Sequence, residues 1–388
     1  MRILYAAIDQ AVPAAHGGAV HVQSVAEGLT ALGHDVMVLA SRGDRDGFPT
    51  GSVEWRSVPP PLGDRRLRLL RAGDVLRFAR DFRADVVIER YYNFGGEGLL
   101  AARRIGALGV LEVNAPVVDY PGSLKQRLDR VMIVQPLRRW RDWQCRMADL
   151  IVTPTAKILP SHVPSSRILQ TEWGADTDRF RPGASGPTPF SRLPGHVVAV
   201  FVGAFRPWHG AIQLVRAVRE LQARGGSDVQ AVLIGAGPEL SRIKKAAEGM
   251  SGVAFTGPLA HDHVPAALAA ADIGVAPFDI SAHAPLRQAF YWSPLKVFEY
   301  MASGLPVVVP RIDRLSHIVR DGLEGVLYDP DEPGSLANAL EQLRDGSLRT
   351  KLGQAARARA VEHFSWRSHC VALDRAIRAA QDAHSHRH

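Results

Sequence analysis

Two doubly wound α/β domains, each a parallel sheet covered by helices, are what the sequence predicts. Three observations carry this. Short apolar runs of strand length alternate with helical apolar spacing along nearly the whole chain. The alternation breaks once, at Arg181-Pro182-Gly183-Ala184-Ser185-Gly186-Pro187-Thr188-Pro189, which reads as a linker. Finally, 388 residues, 46% of them hydrophobic and 22% charged, supply two domains of ordinary size and composition.

The elements follow in order. Ile3-Leu4-Tyr5-Ala6-Ala7-Ile8 reads as a buried first strand; it is too short for a signal-peptide core. Gly17-Gly18 then makes a turn into a helix from Val20 to Leu32, with Val22, Val25, Ala26 and Leu29 on one face and Gly33 ending it. Strand 35–40 completes a βαβ unit. Helix 66–80 leads to strand 84–88, helix 96–108 to strand 110–113, and helix 124–147 to strands 150–152 and 167–169. After the linker come strand 197–202, helix 210–224, strand 229–234, helix 238–248, strand 252–256, helix 263–270 and strand 272–276. Helix 294–302, strand 305–309, a short helix at 314–319, strand 325–328 and helices 333–344 and 347–363 complete the second domain. The predicted division is 1–181, a linker at 182–196, a second domain at 197–365, and a helix within 366–388 that packs back on the first domain and ends in a frayed tail. In sheets of this kind ligands bind beyond the carboxyl ends of the strands, so the expected site is a cleft between the two domains.

Composition narrows the function. Cys145 and Cys370 allow at most one disulfide, which fits a reducing cytosol. No apolar run reaches bilayer-spanning length. The formal charge of +8 is spread over both halves, and no nucleic-acid recognition motif accompanies it, so no nucleic-acid partner is expected. Residues 62–83 carry seven Arg against three Asp, and residues 125–146 seven Lys/Arg against two Asp. Such runs are ordinarily solvated faces. Trp140 and Trp143 beside Arg138, Arg139 and Arg141 also suit a peripheral contact with an anionic membrane, at its inner face. The tail histidines His384, His386 and His388 lack the convergent spacing of a metal site, and no metal is expected.

Three glycine-bearing segments point to an anionic ligand. Gly17-Gly18 lets backbone N–H groups approach one at a helix N-terminus, or is simply a tight turn. Gly235-Ala236-Gly237-Pro238 repeats the device in the second domain. Neither has the dinucleotide or P-loop spacing. Gly203-Ala204-Phe205-Arg206-Pro207-Trp208-His209-Gly210 follows an all-apolar strand and puts Arg206 and His209 at the carboxyl edge of the sheet. The guanidinium fork suits phosphate oxygens; the plain alternative is a solvated arginine and a capping histidine. The most specific stretch is Tyr291-Trp292-Ser293-Pro294-Leu295-Lys296-Val297-Phe298-Glu299-Tyr300-Met301-Ala302-Ser303-Gly304-Leu305-Pro306. Ser293 can cap a helix with Pro294 at its first position. Lys296 and Glu299 share a face, where an ammonium suits a diphosphate and a carboxylate suits vicinal hydroxyls; alternatively they form an i,i+3 ion pair.

This arrangement resembles the GT-B glycosyltransferases, in particular the retaining group known as family 4, over essentially the whole chain. The resemblance implies two Rossmann-like domains and transfer of a hexose-type sugar from a nucleoside diphosphate sugar, uridine ahead of guanosine, without metal or cofactor. It puts Gly17 and Gly18 against acceptor and donor, Arg206 on the phosphates and Glu299 on the donor ribose. Gly203, His209, Gly235, Gly237, Ser293, Pro294, Leu295 and Lys296 join the donor side. In the first domain it puts His21, Arg90, Tyr91 and Asn114 against a saccharide, lipid-linked or cyclitol-like acceptor, with loop 115–123 as a lid. Glu112 is either part of that acceptor surface or a buried partner for Arg90. Two positions depart from the family pattern: Tyr291 stands where it has a first acidic residue, and His209 where it has a lysine. Arg206 and Lys296 are the candidates to stabilise the departing phosphate. An epimerase of the same fold, or a nucleotide-sugar-binding protein without turnover, remain as alternatives.

Overall fold

The computed structural model describes residues 1–14, 16–43, 47–120, 123–132, 135–225 and 228–385. The chain divides into two compact units. The first comprises Met1–Trp173, Tyr291–Ser293 and Trp366–His388; the second comprises Gly174–Phe290 and Pro294–Ser365.

The first unit is built on β1 (Arg2–Val12), α1 (Gly17–Ala31), β2 (Asp35–Arg42), β3 (Glu54–Ser57), α2 (Ala72–Asp81), β4 (Val86–Arg90), α3 (Glu97–Ile105), β5 (Leu108–Glu112), α4 (Leu124–Val131), α5 (Pro136–Met147), β6 (Leu150–Thr153) and β7 (Ile168–Gln170). Its seven strands are parallel, in the order β3-β2-β1-β4-β5-β6-β7. The order reverses at β1, so the loops after β1 and β4 diverge and leave room at the carboxyl edge. Leu4, Ala6, Ile8, Val75, Val87 and Ala101 are among the buried side chains of one core layer.

The second unit contains β8 (Val197–Val202), α6 (Ala211–Ala223), β9 (Val229–Ile234), α7 (Leu240–Ala246), β10 (Val253–Gly257), α8 (Val264–Ala269), β11 (Ile273–Val275), α9 (Ala284–Gln288), α10 (Leu295–Ala302), β12 (Val307–Pro310), α11 (Leu315–Ile318), β13 (Gly325–Tyr328), α12 (Ser335–Gln342) and α13 (Gly346–His363). Six parallel strands run β10-β9-β8-β11-β12-β13, with the same reversal, here at β8. The last helix, α14 (Trp366–Ser385), lies with the first unit. There His34 Nε2 stands 2.9 Å from Asp374 Oδ1, and Gly28 gives way to Cys370, whose Sγ lies 2.4 Å from where a Cβ would stand.

Several expectations are corrected. The crossing between units falls at 173/174, ahead of the proline-rich stretch. Arg357 Nη1 donates to the carbonyls of Thr177, Phe180 and Ala302 at 2.9, 2.7 and 2.7 Å, which holds 174–181 to the second unit. Residues 182–196 lie with that unit too, where Arg192 pairs with Asp272 at 2.6 Å. The single helix expected over 124–147 is two, because Pro136 cannot donate within a helix and Gln135 before it takes a left-handed φ of 46°. Helix 66–80 is a 3-10 stretch, Arg65–Arg71, running into α2. Edge strand β3 and helix α9 were not foreseen; both are short and lack a clean period. Within the loop expected over 115–123, Pro121 and Gly122 lie outside the described residues, as do His386 and His388.

One buried charge cluster ties the first unit together. Arg68, on the 3-10 stretch and fully buried, reaches Glu97 at 2.5 Å, Asp9 at 2.7 Å and Glu89 at 3.9 Å. Glu89 also accepts from the N–H groups of Gly96 and Leu99, and burial together with Glu97 pushes its carboxyl well up. Removing the guanidinium would leave three carboxylates without a cation. Arg68→Met is expected to lower urea-unfolding stability by about 3–5 kcal/mol, whereas Arg77→Ala, at an exposed pair with Asp74, should change it by less than about 1 kcal/mol.

Candidate functional site

In the second unit the predicted donor residues gather at the carboxyl end of β8. Gly203, with φ of 141°, turns the chain out of that strand, and a Cβ there would stand 2.9 Å from Lys296 Nζ. Gly235, with φ of 139°, lets the loop after β9 press on it: a Cβ would come within 2.0 Å of the Gly203 carbonyl oxygen. Gly237 packs on the backbone of Phe205, where a Cβ would stand 2.6 Å from the nitrogen. These approaches fix the floor of a niche, and Lys296, on the first turn of α10, rises beneath it. Its ammonium lies 4.1 Å from the ring centre of Phe201 and 5.4 Å from that of Phe278. The nitrogen is buried and has no hydrogen-bond partner. Burial draws its pKa down to about 7, opposed by Glu299. The i,i+3 ion pair weighed from sequence is therefore not formed through a hydrogen bond.

Glu299, one turn on, is mostly covered and sits 3.4 Å from His261 Nε2. Arg206 is exposed, its guanidinium 5.8 Å from the ring centre of Trp208. His209 Nδ1 lies 2.6 Å from the Ala204 carbonyl oxygen, and burial, followed by Lys296, lowers its pKa to about 3. At neutral pH it is an uncharged ring where the family pattern has an ammonium. Nor does it cap the next helix, which Gly210 does at a φ of 68°. Ser293 does not cap α10 either. Its Oγ accepts from Trp173 N at 3.1 Å, Pro294 takes the cap position with no side-chain bond, and Tyr291–Ser293 lie with the first unit. Leu295 opens α10 directly after Pro294. Tyr291 is buried.

In the first unit, Gly17 and Gly18 prove to be the first turn of α1, not a turn ahead of it. His16 caps that helix, its ring accepting from Ala19 N at 3.2 Å. A Cβ on Gly18 would stand 2.3 Å from Gln10 Oε1. His21, Arg90 and Asn114 converge on Glu112. Arg90 Nη1 donates to Glu112 Oε1 at 2.8 Å, Asn114 Nδ2 donates to the same oxygen, and the Tyr5 hydroxyl donates to Oε2. His21 Nδ1 is 3.4 Å from Oε1. Glu112 is thus the buried partner of Arg90. His21 is 1% exposed, stacked on Trp173 at 4.2 Å between ring centres, with Nε2 unpaired. Burial and Arg90 hold it well below the usual imidazole range, so it is neutral. Tyr91 is buried too, its hydroxyl donating to Asn93 Oδ1 at 3.0 Å. The Tyr91 ring is therefore not open to the acceptor contact expected of it.

The sequence missed Phe201, Phe278 and His261. The signal for His261 was its place in the loop after a predicted strand; the two rings read as ordinary core. Among the described residues no three of His, Cys, Asp and Glu gather as a metal site. Of the acid-x-acid pairs, Asp176 Oδ1 accepts from Asp178 N at 3.1 Å and, after β13, Asp329 Oδ1 accepts from Asp331 N at 2.9 Å; Asp44 and Asp46 lie outside the described residues. A cavity of about 700 Å³ beside α6, lined by Arg216, Asp279, Arg311 and Tyr328 among others, holds none of the predicted residues.

The chain matches two families: "Glycosyl transferase 4-like domain" over residues 16–159 and "Glycosyl transferases group 1" over residues 196–345. It is 34% identical over 215 residues to a D-inositol 3-phosphate glycosyltransferase of Corynebacterium jeikeium (strain K411), an alignment covering 52% of this chain. That stretch spans about half of the relative's length, 49%. Among solved structures, a glycosyltransferase from Rickettsia africae ESF-5 superposes with a TM-score of 0.71 at 15% identity, covering 98% of each chain. Anabaena Alr3699/HepE in complex with UDP-glucose does so with 0.67 at 18% identity, covering 99% of this chain and all of that one. The fold is GT-B, with two Rossmann-like domains.

The lysine chemistry is directly measurable. With lysine labelled at Cε, one carbon resonance is expected to titrate near pH 7 and to be missing from Lys296→Met. If every lysine titrates near pH 10, the buried, unpaired ammonium described above is ruled out.

Proposed function

We propose that this chain is a metal-independent retaining glycosyltransferase of the family 4 kind. It moves a hexose-type sugar from a nucleoside diphosphate sugar, uridine ahead of guanosine, to a hydroxyl of a saccharide, lipid-linked or cyclitol-like acceptor. The observation that carries the proposal is Lys296: a buried ammonium with no acceptor, set beneath a glycine at the carboxyl end of the sheet. Near neutral pH such a group is poised between amine and ammonium, and a bound anion would hold it charged. The matched families, the inositol phosphate glycosyltransferase and the UDP-glucose complex of a chain with the same fold support a sugar diphosphate as that anion.

The diphosphate would sit over Gly203, its charge met by Lys296 from below and Arg206 from the solvent side, with backbone N–H groups around 294–296 assisting. Glu299 would accept from the ribose hydroxyls. As the glycosidic bond opens, negative charge grows on the departing phosphate, and fixed cations there lower the barrier. The acceptor hydroxyl attacks on the same face and passes its proton to that phosphate, so configuration is retained. Gly17, Arg90 and Asn114 are the acceptor contacts of the first unit. His21 and Tyr91, being buried, position Arg90 and the chain after β4. Neutral His209 offers no charge, which leaves Lys296 and Arg206 to carry the phosphate.

Arg206→Ala is expected to lower turnover of the nucleotide sugar at least about 10²-fold with the fold intact, since the contact strengthens as the phosphate leaves. Activity within threefold of wild type would remove the assignment. Transfer should persist in excess EDTA; loss on chelation that Mg²⁺ restores would overturn the cation-only mechanism. Glu299→Gln should raise the donor KM by about 5- to 150-fold with a much smaller fall in kcat, because ribose binding is shared by ground and transition states. Isothermal titration with the nucleoside diphosphate and its 2′,3′-dideoxy analogue separates the roles. Parallel loss for both ligands would make Glu299 a structural partner of α10.

A further inference from the structure

Two segments of the first unit expose large apolar side chains, and both are strongly basic. On and after α4, Leu128, Val131 and Met132 are 43, 83 and 48% exposed. On the 3-10 turns before α2, Leu62 and Leu70 are 97 and 71% exposed. Around them the charges are sorted by sign. Asp129 is turned inward: it accepts from Leu137 N and Arg138 N, both at 3.0 Å, and lies 3.4 Å from the buried Arg141. Arg141 also binds Asp119. Asp142 is half-buried, whereas Arg127, Arg138, Arg139 and Arg146 stand exposed. In the other segment Arg65 and Arg66 are exposed, with Asp64 shared by Arg66 at 3.3 Å.

Both segments are tied to one short loop, residues 92–96. Arg65 lies over the Tyr92 ring at 5.3 Å. From α5, Gln144 Nε2 donates to the Tyr92 carbonyl at 3.2 Å and Trp140 Nε1 to the Gly95 carbonyl at 2.9 Å. Trp140 and Trp143 stack on each other at 4.5 Å and pack against Gly96, so they hold this loop instead of standing free at a lipid surface. The exposed apolar groups are the aliphatic ones.

We propose that these two segments dock the protein on an anionic lipid bilayer. A soluble polyanion would satisfy the arginines and gain nothing from Val131 or Leu62. A second copy of the same face would set like charges together. An apolar protein surface would leave the guanidiniums unpaired. An anionic leaflet meets both needs, with headgroups for the arginines and the acyl boundary for the aliphatic side chains. No helix among the described residues is long and apolar enough to cross a membrane, and surface docking requires none.

The test is co-sedimentation of the full chain with vesicles of phosphatidylcholine, alone or mixed with phosphatidylglycerol, at low and high salt. Binding to the mixed vesicles only, weakened by salt, is expected. Arg138→Gln with Arg139→Gln should weaken it about fivefold per charge removed. Val131→Glu should weaken it about tenfold or more, by lost burial and added negative charge. These positions are exposed and outside the sugar-transfer residues, so thermal unfolding and turnover with a water-soluble acceptor should stay at wild-type level. Equal binding to both vesicle types overturns the proposal. So does wild-type binding by Val131→Glu together with full competition by dextran sulfate, which would make the face a polyanion site.

Discussion

An ammonium taken out of water without an oxygen to receive its protons is strongly disfavoured, and the second unit places the Lys296 nitrogen in that position, its pKa drawn down to about 7. Gly203 and Gly235 exist as glycines because the two loops beyond β8 and β9 must touch while turning through positive φ. Phe201 and Phe278 offer ring faces, the next best surroundings for a cation deprived of water. His209, on the same loop as Gly203, is kept neutral by burial and then by Lys296. The reversal of strand order at β8 supplies the gap above. Each feature bears on the niche in which Lys296 lies.

The first unit solves the opposite problem. Arg68 gathers three carboxylates and Glu112 gathers Arg90, Asn114 and Tyr5, so charge there is closed on itself. Desolvated groups paired in this way specify the positions of β1, β4 and β5 relative to one another. They also leave the neutral His21 locked between Trp173 and the Arg90–Glu112 pair. The residues that remain able to meet a ligand from this unit are fewer than the sequence suggests.

The parallel strands were legible because strands buried on both faces leave continuous apolar runs, as at residues 197–202 and 229–234. The break at Gln135-Pro136 was legible in principle, since proline is the strongest local punctuation, yet the helical spacing on both sides masked it. Lys296, Glu299 and the glycine loops stood out because few sequences combine those types at strand ends. Partnership did not. Whether Glu112 faces a ligand or Arg90, and whether Ser293 caps a helix or accepts from Trp173, depends on segments far apart in the chain. The linker misled for a related reason. Proline and glycine mark where the backbone bends, whereas the unit boundary is set by what Arg357 holds, and that contact spans some 180 residues.

The placement of α14 has a bearing on biosynthesis. The first unit needs Trp366–Ser385 to cover the groove beside α1 at Gly28 and His34, yet that helix is made long after the sheet it packs against. More than 190 residues separate Trp173 from Trp366, so at about 5–20 residues per second the groove waits roughly 10–40 seconds after the sheet is available. During that interval the ribosome displays the first unit with one seam open, and the second unit is synthesised in its presence. Closure of the seam therefore follows synthesis of the intervening second unit, and a chain cut short before Trp366 leaves the first unit unsealed.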